Sequence, residues 1–201
     1  MESRGAGIVG AGNIAKILAA ARGAVPGTKL RWVVGRTAER ARALAQAAGA
    51  RWTSDLPEAL ADGEVGLVTV ATPSGSHLEP ARSAARAGKH LLVEKPLEVT
   101  LERIDALASE AEKAGVKLGA IFPFRFRDGV LEAQRAIRAG RLGRISLASA
   151  EIRWHRTQAY YDQGGWRGTR AQDGGGALMN QGIHTIDLLQ WLAGPVVSVR
   201  G

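Results

Sequence analysis

The sequence predicts an α/β protein in which a Rossmann-type doubly wound parallel sheet is followed by an incomplete second α/β domain. Short apolar runs alternate with amphipathic segments of helical length as far as residue 121, which is typical of such a sheet. One run, VGLVTVA at residues 65–71, is apolar almost throughout, as parallel strands buried on both faces are. The alternation then ends, so we expect a boundary between domain 1–122 and domain 123–201.

The elements of the first domain follow from the spacing of their apolar residues. In the first helix, Ile14, Ile17 and Leu18 recur at helical spacing. Thr100 is placed to cap the last helix of this domain, and Gly115 is placed to end it. The predicted strands are residues 5–10, 29–34, 51–53, 65–71, 89–93 and 116–121, and the predicted helices are residues 12–22, 37–48, 55–61, 77–87 and 100–114.

The second domain has a different pattern and too few elements to be complete. Residues 130–139 have the pattern of a helix, and residues 144–154 alternate like a strand with one polar face. A loop at residues 157–175 leads into a helix that begins at three glycines and ends near residue 192, and residues 196–200 resemble the start of a strand. Because one or two strands do not form a stable open sheet, we expect the chain to be a fragment of a longer protein.

The composition indicates a soluble, cytoplasmic protein without a metal site. No apolar run approaches the roughly 18 residues of a membrane span. The chain has no cysteine, and its 4 histidines are scattered, at positions 77, 90, 155 and 184. The formal net charge is +8, but the arginines are spread along helices and no basic block is interleaved with aromatic residues. We therefore expect no nucleic-acid partner, although a minority of this charge can serve a phosphorylated ligand.

Residues 10–15, GAGNIA, fit the dinucleotide-binding pattern G-x-G-x-x-A between the first strand and the first helix. Gly10 allows the tight turn, Gly12 lets a pyrophosphate approach the backbone, and Ala15 permits close packing of the helix on the strand. The start of the helix then offers amide donors and a partial positive charge. This context favours a cofactor site over a purely structural turn.

The end of the second strand bears on the choice of cofactor. NAD-binding sites usually carry an acidic residue there, which binds the ribose hydroxyls. This sequence instead has Arg36 and Thr37 at that place, and the planar guanidinium of Arg36 suits a 2′-phosphate. We therefore expect NADP(H) to be favoured over NAD(H). The alternative is a surface arginine at the start of a helix.

The run VEKPLE, at residues 93–98, follows a strand at the carboxyl edge of the sheet, where ligands bind in folds of this kind. Lys95 can hydrogen-bond a substrate oxygen and stabilise charge while a hydroxyl becomes a carbonyl. Glu94 can accept from ribose hydroxyls, and Pro96 fixes the turn. The tripeptide alone would also suit a surface turn.

Several motifs, taken in order, resemble the Gfo/Idh/MocA family of nicotinamide-dependent oxidoreductases: GIVGAGNIA, ATPSGSH, AGKHLLVEKPL, AGRLGRI, GGWRGT and GGGALMNQGIHTIDLLQWL. The resemblance implies a Rossmann domain followed by an α/β domain with a large open sheet. It also implies a tightly held NAD(P) and a small-molecule substrate of the sugar, cyclitol or polyol class. Because members of this family frequently oligomerise, we expect the full-length protein to be a homo-oligomer.

The resemblance further implies roles for individual residues. Lys95 and His184 match the catalytic lysine and histidine of the family, and the Lys95–Pro96 peptide matches one that is often cis. The matched cofactor-binding residues are Gly10, Gly12, Asn13 and Ile14 at the pyrophosphate, Thr72, Pro73 and His77 beside the nicotinamide half, and Trp166 and Arg167.

The histidine segment departs from the family at one position. Many family dehydrogenases have an aspartate four residues before the histidine, and this chain has Asn180 there. The spacing puts Asn180 and His184 on one face of a helix. An asparagine cannot share a proton, so we expect His184 to act as general acid/base and Asn180 to position the substrate. Asp187 is either a substitute partner of His184 or a solvated or capping residue.

Two other segments leave alternatives open. The loop of residues 153–169 contains Tyr160, Tyr161 and two tryptophans, and it suits either sugar stacking or packing between domains or subunits. Arg125 reaches either the cofactor or only the interface between the domains.

These features predict an NAD(P)-dependent dehydrogenase that transfers hydride between the nicotinamide and a carbinol carbon of a sugar-like substrate. Two alternatives are an NAD-dependent glycoside hydrolase of the same family and a cofactor-sensing binding protein without turnover. The asparagine at position 180 permits the last, whereas the presence of both Lys95 and His184 argues against it.

Overall fold

A computed structural model describes residues 4–163 and 165–200 of the chain. Its first part contains six strands: β1 Arg4–Val9, β2 Thr28–Val34, β3 Arg51–Thr53, β4 Val65–Val70, β5 His90–Val93 and β6 Leu118–Ala120. All five pairings are parallel, and the strand order is β3-β2-β1-β4-β5-β6. The prediction of a Rossmann-type doubly wound parallel sheet is therefore confirmed.

Helices join the strands and cover the sheet. They are α1 Asn13–Gly23, α2 Ala38–Ala47, α3 Leu56–Leu60, α4 Leu78–Arg86 and α5 Leu101–Lys113. Thr100 caps α5 as predicted, because its hydroxyl accepts the N–H of Arg103 at 3.4 Å. The core forms two buried clusters, one around Ile8, Val33 and Leu44 and the other around Val68, Val70 and Leu107. Strand order reverses between β1 and β4, which is the point where sheets of this kind have a ligand-binding crevice at the carboxyl edge.

The regular elements of the second part, among the residues that the structure describes, are all helical. They are a 3₁₀ turn Pro123–Phe126, α6 Asp128–Arg138, α7 Gln158–Asp162, α8 Arg170–Asp173, one π-helical turn Leu178–Gly182 and α9 Ile183–Ala193. The helix predicted to begin at the three glycines is thus interrupted by a π turn before α9 begins. Of the helices that the structure describes, none has the length and apolarity to cross a bilayer.

The strands predicted at residues 144–154 and 196–200 are wrong, since both segments are irregular and mostly exposed. Leu147 is 85% exposed and Val197 is 95% exposed. Alternation of polar and apolar residues selects the face that a strand would bury, but a strand forms only where a neighbour takes up its backbone hydrogen bonds. In the described part of the chain no strand lies beside either segment.

Candidate active site

The glycine loop after β1 has the shape that the sequence predicts. Gly10 has a φ of +117°, and an added Cβ would lie 2.4 Å from the carbonyl oxygen of Ala71. Gly12 is the N-cap of α1, carries no capping side chain, and has open space where its Cβ would be. Asn13 and Ile14 begin the helix in exposed positions. The first amides of α1 are therefore available to an anion.

The loop between β2 and α2 carries Arg36 and Thr37, and both residues are exposed. Thr37 is the N-cap of α2, but its side chain forms no capping hydrogen bond. Among the described residues Arg36 forms no salt bridge. Its guanidinium is thus free to bind a phosphate at the edge where the crevice opens.

The turn after β4 contains Thr72, Pro73 and His77. The His77 side chain is buried, with Nδ1 2.9 Å from the Pro96 oxygen and Nε2 3.0 Å from the Thr72 oxygen. Burial lowers the pKa of His77, against the opposing influence of these carbonyls and of Glu98. His77 therefore joins the loops that follow β4 and β5, and it would act on a cofactor through them, while Thr72 and Pro73 are half-buried beside it.

Glu98 is a buried carboxylate for which the sequence interpretation had no role. It accepts the N–H groups of His77 at 3.1 Å and Leu78 at 2.8 Å, at the start of α4, and it pairs with Arg103. Burial acts to raise the pKa of Glu98, but the hydrogen bonds and the Arg103 charge outweigh it, so the pKa is lowered. Glu98 thereby holds the loop that begins at Lys95. In the sequence, this role was indicated by Arg103, which follows Glu98 by five residues, just after the turn at Pro96.

Lys95 connects the two parts of the chain. The Lys95–Pro96 peptide is cis, as the family resemblance implied. The Nζ atom of Lys95 donates to the backbone oxygen of Asn180 at 2.7 Å and lies 3.4 Å from Asn180 Oδ1. Burial lowers the pKa of Lys95, although the charges of Glu94 and Asp173 oppose this effect. Glu94 is itself half-buried, and burial raises its pKa.

Asp173 is the second residue of the site that the sequence did not reveal. It is 1% exposed; its Oδ1 accepts from Asn180 Nδ2 at 2.7 Å, and its Oδ2 accepts the Gly168 N–H at 2.8 Å. Because a carboxylate only accepts and an ammonium only donates, the Asn180 amide must point its nitrogen at Asp173 and its oxygen at Lys95. The asparagine thus links a buried carboxylate to the lysine. In the sequence, this role was indicated by the position of Asp173 directly before the three glycines.

His184 lies in the first turn of α9, one helical turn beyond Asn180. Its ring stacks on Phe124 with centroids 4.8 Å apart, and its Nδ1 is buried without a hydrogen-bond partner among the described residues. Burial lowers the pKa of His184, and the charges of Lys95 and Arg127 lower it further, against the carboxylate of Asp187. The imidazole is therefore neutral at neutral pH and able to accept a proton.

Asp187 is neither a hydrogen-bond partner of His184 nor a solvated residue. It is 8% exposed and is held by two hydrogen bonds from Arg125, with Nε 2.7 Å from Oδ2. The Arg125 guanidinium also lies 4.4 Å from the centroid of the Trp191 ring. Arg125 thus fastens the 3₁₀ turn to α9, a contact within the second part of the chain, so neither of the two alternatives for Arg125 is shown.

The Trp166–Arg167 pair lies on the loop of residues 153–169, which also carries Tyr160. Arg167 lies over the rings of Tyr160, at 4.8 Å, and Trp166, at 5.1 Å. The following helix, α8, touches the turn after β4, where Ser76 Oγ donates to Gln172 Oε1 at 2.9 Å. This contact brings the loop next to the Thr72–His77 segment. Within the described ranges no three His, Asp or Glu side chains gather as a metal ion would require.

Two family models match most of the chain. The model for an "Oxidoreductase family, NAD-binding Rossmann fold" matches residues 4–122, and the "GFO/IDH/MocA C-terminal domain" matches residues 130–201. The chain therefore belongs to the Gfo/Idh/MocA family of oxidoreductases, as its motifs suggested.

Similar proteins act on sugars and cyclitols, by their names. The chain is 32% identical to 1,5-anhydro-D-fructose reductase of Ensifer adhaerens, over 92% of this chain and 55% of that protein. It is 31% identical to scyllo-inositol 2-dehydrogenase (NAD(+)) of Bacillus subtilis, over 88% of this chain and 50% of that protein. The WlbA dehydrogenase from Bordetella pertussis, solved with NADH and UDP-GlcNAcA, is 36% identical with a TM-score of 0.89, over 98% of this chain and 61% of that chain. The chain thus spans half of these proteins or slightly more.

Proposed function

We propose that the site belongs to an NAD(P)-dependent dehydrogenase acting on CH–OH groups of a sugar, cyclitol or similar polyol. The observation that supports this most strongly is the contact between Lys95 Nζ and Asn180, one turn before His184. Through this contact Lys95, a hydrogen-bond donor from the first part of the chain, lies near the segment that carries His184, a proton acceptor from the second part. The names of the relatives, and the NADH bound in the WlbA structure, are consistent with this chemistry.

The residues of the crevice fit a dinucleotide. Gly10 and Gly12 leave the start of α1 open, and α1 has no acidic residue in its first turn to repel a pyrophosphate. When bound, the nicotinamide supplies the position that accepts or donates a hydride. The residues that would hold the cofactor are Gly10, Gly12, Asn13 and Ile14 at the pyrophosphate, Glu94 and Lys95 near the ribose and the reacting centre, and Thr72, Pro73, His77, Trp166 and Arg167 along the nicotinamide half.

The cofactor in this proposal is NADP(H) in preference to NAD(H). Arg36 is exposed just after β2, and none of the three residues that follow this strand, Gly35, Arg36 and Thr37, is acidic and able to bind a ribose hydroxyl. A guanidinium binds a phosphate through two parallel hydrogen bonds, which suits the 2′-phosphate. The exposed hydroxyl of Thr37 offers one more donor.

In the oxidative direction, His184 accepts the proton of the substrate hydroxyl as the carbinol carbon is oxidised. Its lowered pKa keeps the imidazole neutral and ready for this transfer. Lys95 Nζ donates to the same oxygen and stabilises the negative charge that grows on it. Asn180 holds the lysine in place, and Asp173 holds the Asn180 amide. In the reductive direction the proton returns from His184 to the oxygen.

The test is a turnover assay on the protein in its full length, with NADP⁺ or NAD⁺ and a panel of sugars and cyclitols, followed by the absorbance of the reduced nicotinamide. Lys95→Ala should abolish turnover, because the lysine acts on the substrate oxygen, while the nucleotide still binds through the glycine loop. Lys113→Ala, at the exposed end of α5, is the matched control and should behave as the parent protein does. Normal turnover in Lys95→Ala would remove the lysine from the mechanism.

The proposed protein has a cofactor domain at residues 1–122 and part of a substrate domain at residues 123–201. In its full length it is a homo-oligomer in the cytoplasm, and its partner is a small sugar-like substrate and not a nucleic acid.

A further inference from the structure

We propose that the substrate carries an anionic group, a carboxylate or a phosphate ester, and that arginines beside His184 bind this group. The proposal rests on the dehydrogenase function and concerns a set of side chains that extends outward from the histidine. We call this set the aromatic–arginine surface; its members are Phe124, Arg127, Trp154, Arg156, Tyr160 and Arg167.

The aromatic–arginine surface is continuous with the reacting centre. Phe124 stacks on His184 and meets the Trp154 ring edge-on, with centroids 6.4 Å apart. Arg156 lies between two rings, 5.9 Å from the centroid of Trp154 and 5.2 Å from that of Tyr160. A sugar bound at His184 would therefore meet aromatic faces and guanidinium groups along one surface.

Three arginines of this surface form no salt bridge with the part of the chain that the structure describes. Among the described residues, no salt bridge includes Arg127, Arg156 or Arg167. Three carboxylates of this part of the chain are engaged elsewhere: Asp187 by Arg125, Asp173 by Asn180 and Gly168, and Glu151 by Arg153. The surface thus presents cations whose partner has to come from outside the described chain.

The positive charge of Arg127 also acts on His184, where the substrate would react. Arg127 lies 3.7 Å from the centroid of the Phe124 ring, which itself stacks on His184. Burial is the main cause of the lowered pKa of His184, and the charges of Lys95 and Arg127 lower this pKa further. Farther out, the Nε of Arg167 is buried without a hydrogen-bond partner in the described part of the chain. A neutral polyol can accept hydrogen bonds from these groups but leaves their charge unbalanced, whereas an anionic substituent would balance the charge and accept stronger, charge-assisted hydrogen bonds.

The test measures the binding of three sugars to the full chain by calorimetry at low salt, with and without NADPH: D-glucuronate, D-glucose 1-phosphate and D-glucose. At least one anionic sugar should bind about tenfold more tightly than glucose, as a charged hydrogen bond implies. Preference for glucuronate identifies a carboxylate, and preference for glucose 1-phosphate identifies a phosphate ester. The double variant Arg127→Gln/Arg156→Gln should remove the preference, whereas Arg153→Gln, which alters a guanidinium already paired with Glu151, should retain it.

Equal affinities for the three sugars, binding of none of them, or a preference that survives in the double variant would overturn the inference. The dehydrogenase proposal fails separately: if anionic sugars bind but NADPH does not, the arginine site stands and the cofactor function falls. If NADPH binds and the sugars show no preference for charge, only the arginine site is lost.

Discussion

Replacing Asp173 with asparagine should lower the pKa of Lys95, although the two side chains do not touch. Asp173 Oδ1 lies 2.7 Å from Asn180 Nδ2, and Asn180 Oδ1 lies 3.4 Å from Lys95 Nζ. The ammonium is already disfavoured by burial, and the Asp173 carboxylate opposes that effect. Removal of the carboxylate therefore shifts the pKa of Lys95 downward, in the same direction as burial.

The size of the shift follows from the separation of the charges. The two hydrogen bonds and the amide between them put the charges about 7 Å apart, which gives about 2 kcal/mol at an effective dielectric constant of about 20. The loss of this attraction disfavours the charged lysine, so the pKa of Lys95 falls. The variant also loses the group that fixes the Asn180 amide, so the oxygen no longer faces the lysine at all times.

Competitive labelling of amines with acetic anhydride over a pH series, followed by mass spectrometry of the Lys95 peptide, measures this pKa without any turnover. Asp162→Asn is the matched control, because Asp162 is exposed and bonds Gln158 on the same helix. An unchanged Lys95 pKa in Asp173→Asn, or an equal fall in Asp162→Asn, would refute the coupling through the amide.

Two further predictions concern stability. Asn180→Asp places a second carboxylate next to Asp173, where the contact is now 2.7 Å long. Repulsion between the two carboxylates raises the pKa of one of them. The variant should therefore lose most unfolding free energy at neutral pH, and the loss should shrink as the pH falls and that carboxylate is protonated. Urea titrations at several pH values measure it, and a loss independent of pH would contradict the reasoning. Glu98→Gln removes the charged acceptor of Arg103 and of two backbone amides and should cost about 1–3 kcal/mol at neutral pH. Because the pKa of Glu98 is lowered in the folded state, its stabilisation disappears as the pH falls through that value, so variant and parent should converge in acid; a difference that persists in acid would count against this role.

The sheet could be predicted from the sequence because each of its strands is a local pattern that finds at least one parallel neighbour. β4 is apolar almost throughout, and in the structure it pairs with β1 and β5. The alternation at residues 144–154 is an equally local pattern, but no strand of the described chain accepts its hydrogen bonds. Periodicity reports the face that would be buried, and it does not report whether a partner is present.

The candidate site could be predicted residue by residue but not as a network. Lys95 and Asn180 are 85 positions apart, and Arg125 and Asp187 are 62 positions apart. The sequence shows two acidic residues near His184, and only the folded chain decides that Asp187 belongs to Arg125 while Asp173 supports Asn180. Such choices depend on which side chains are buried together, which no spacing along the chain encodes.

The most direct test of the proposed function is a titration of the protein with NADPH and NADH, followed by the quenching of tryptophan fluorescence. The account predicts that NADPH binds more tightly, and that Arg36→Ala weakens NADPH by about tenfold while leaving NADH unchanged, because one charged hydrogen-bond pair is lost. Arg40→Ala, an exposed arginine on α2, should leave both affinities as they are. Tighter binding of NADH would contradict the assignment of Arg36, and binding of neither nucleotide would contradict a cofactor site at the glycine loop.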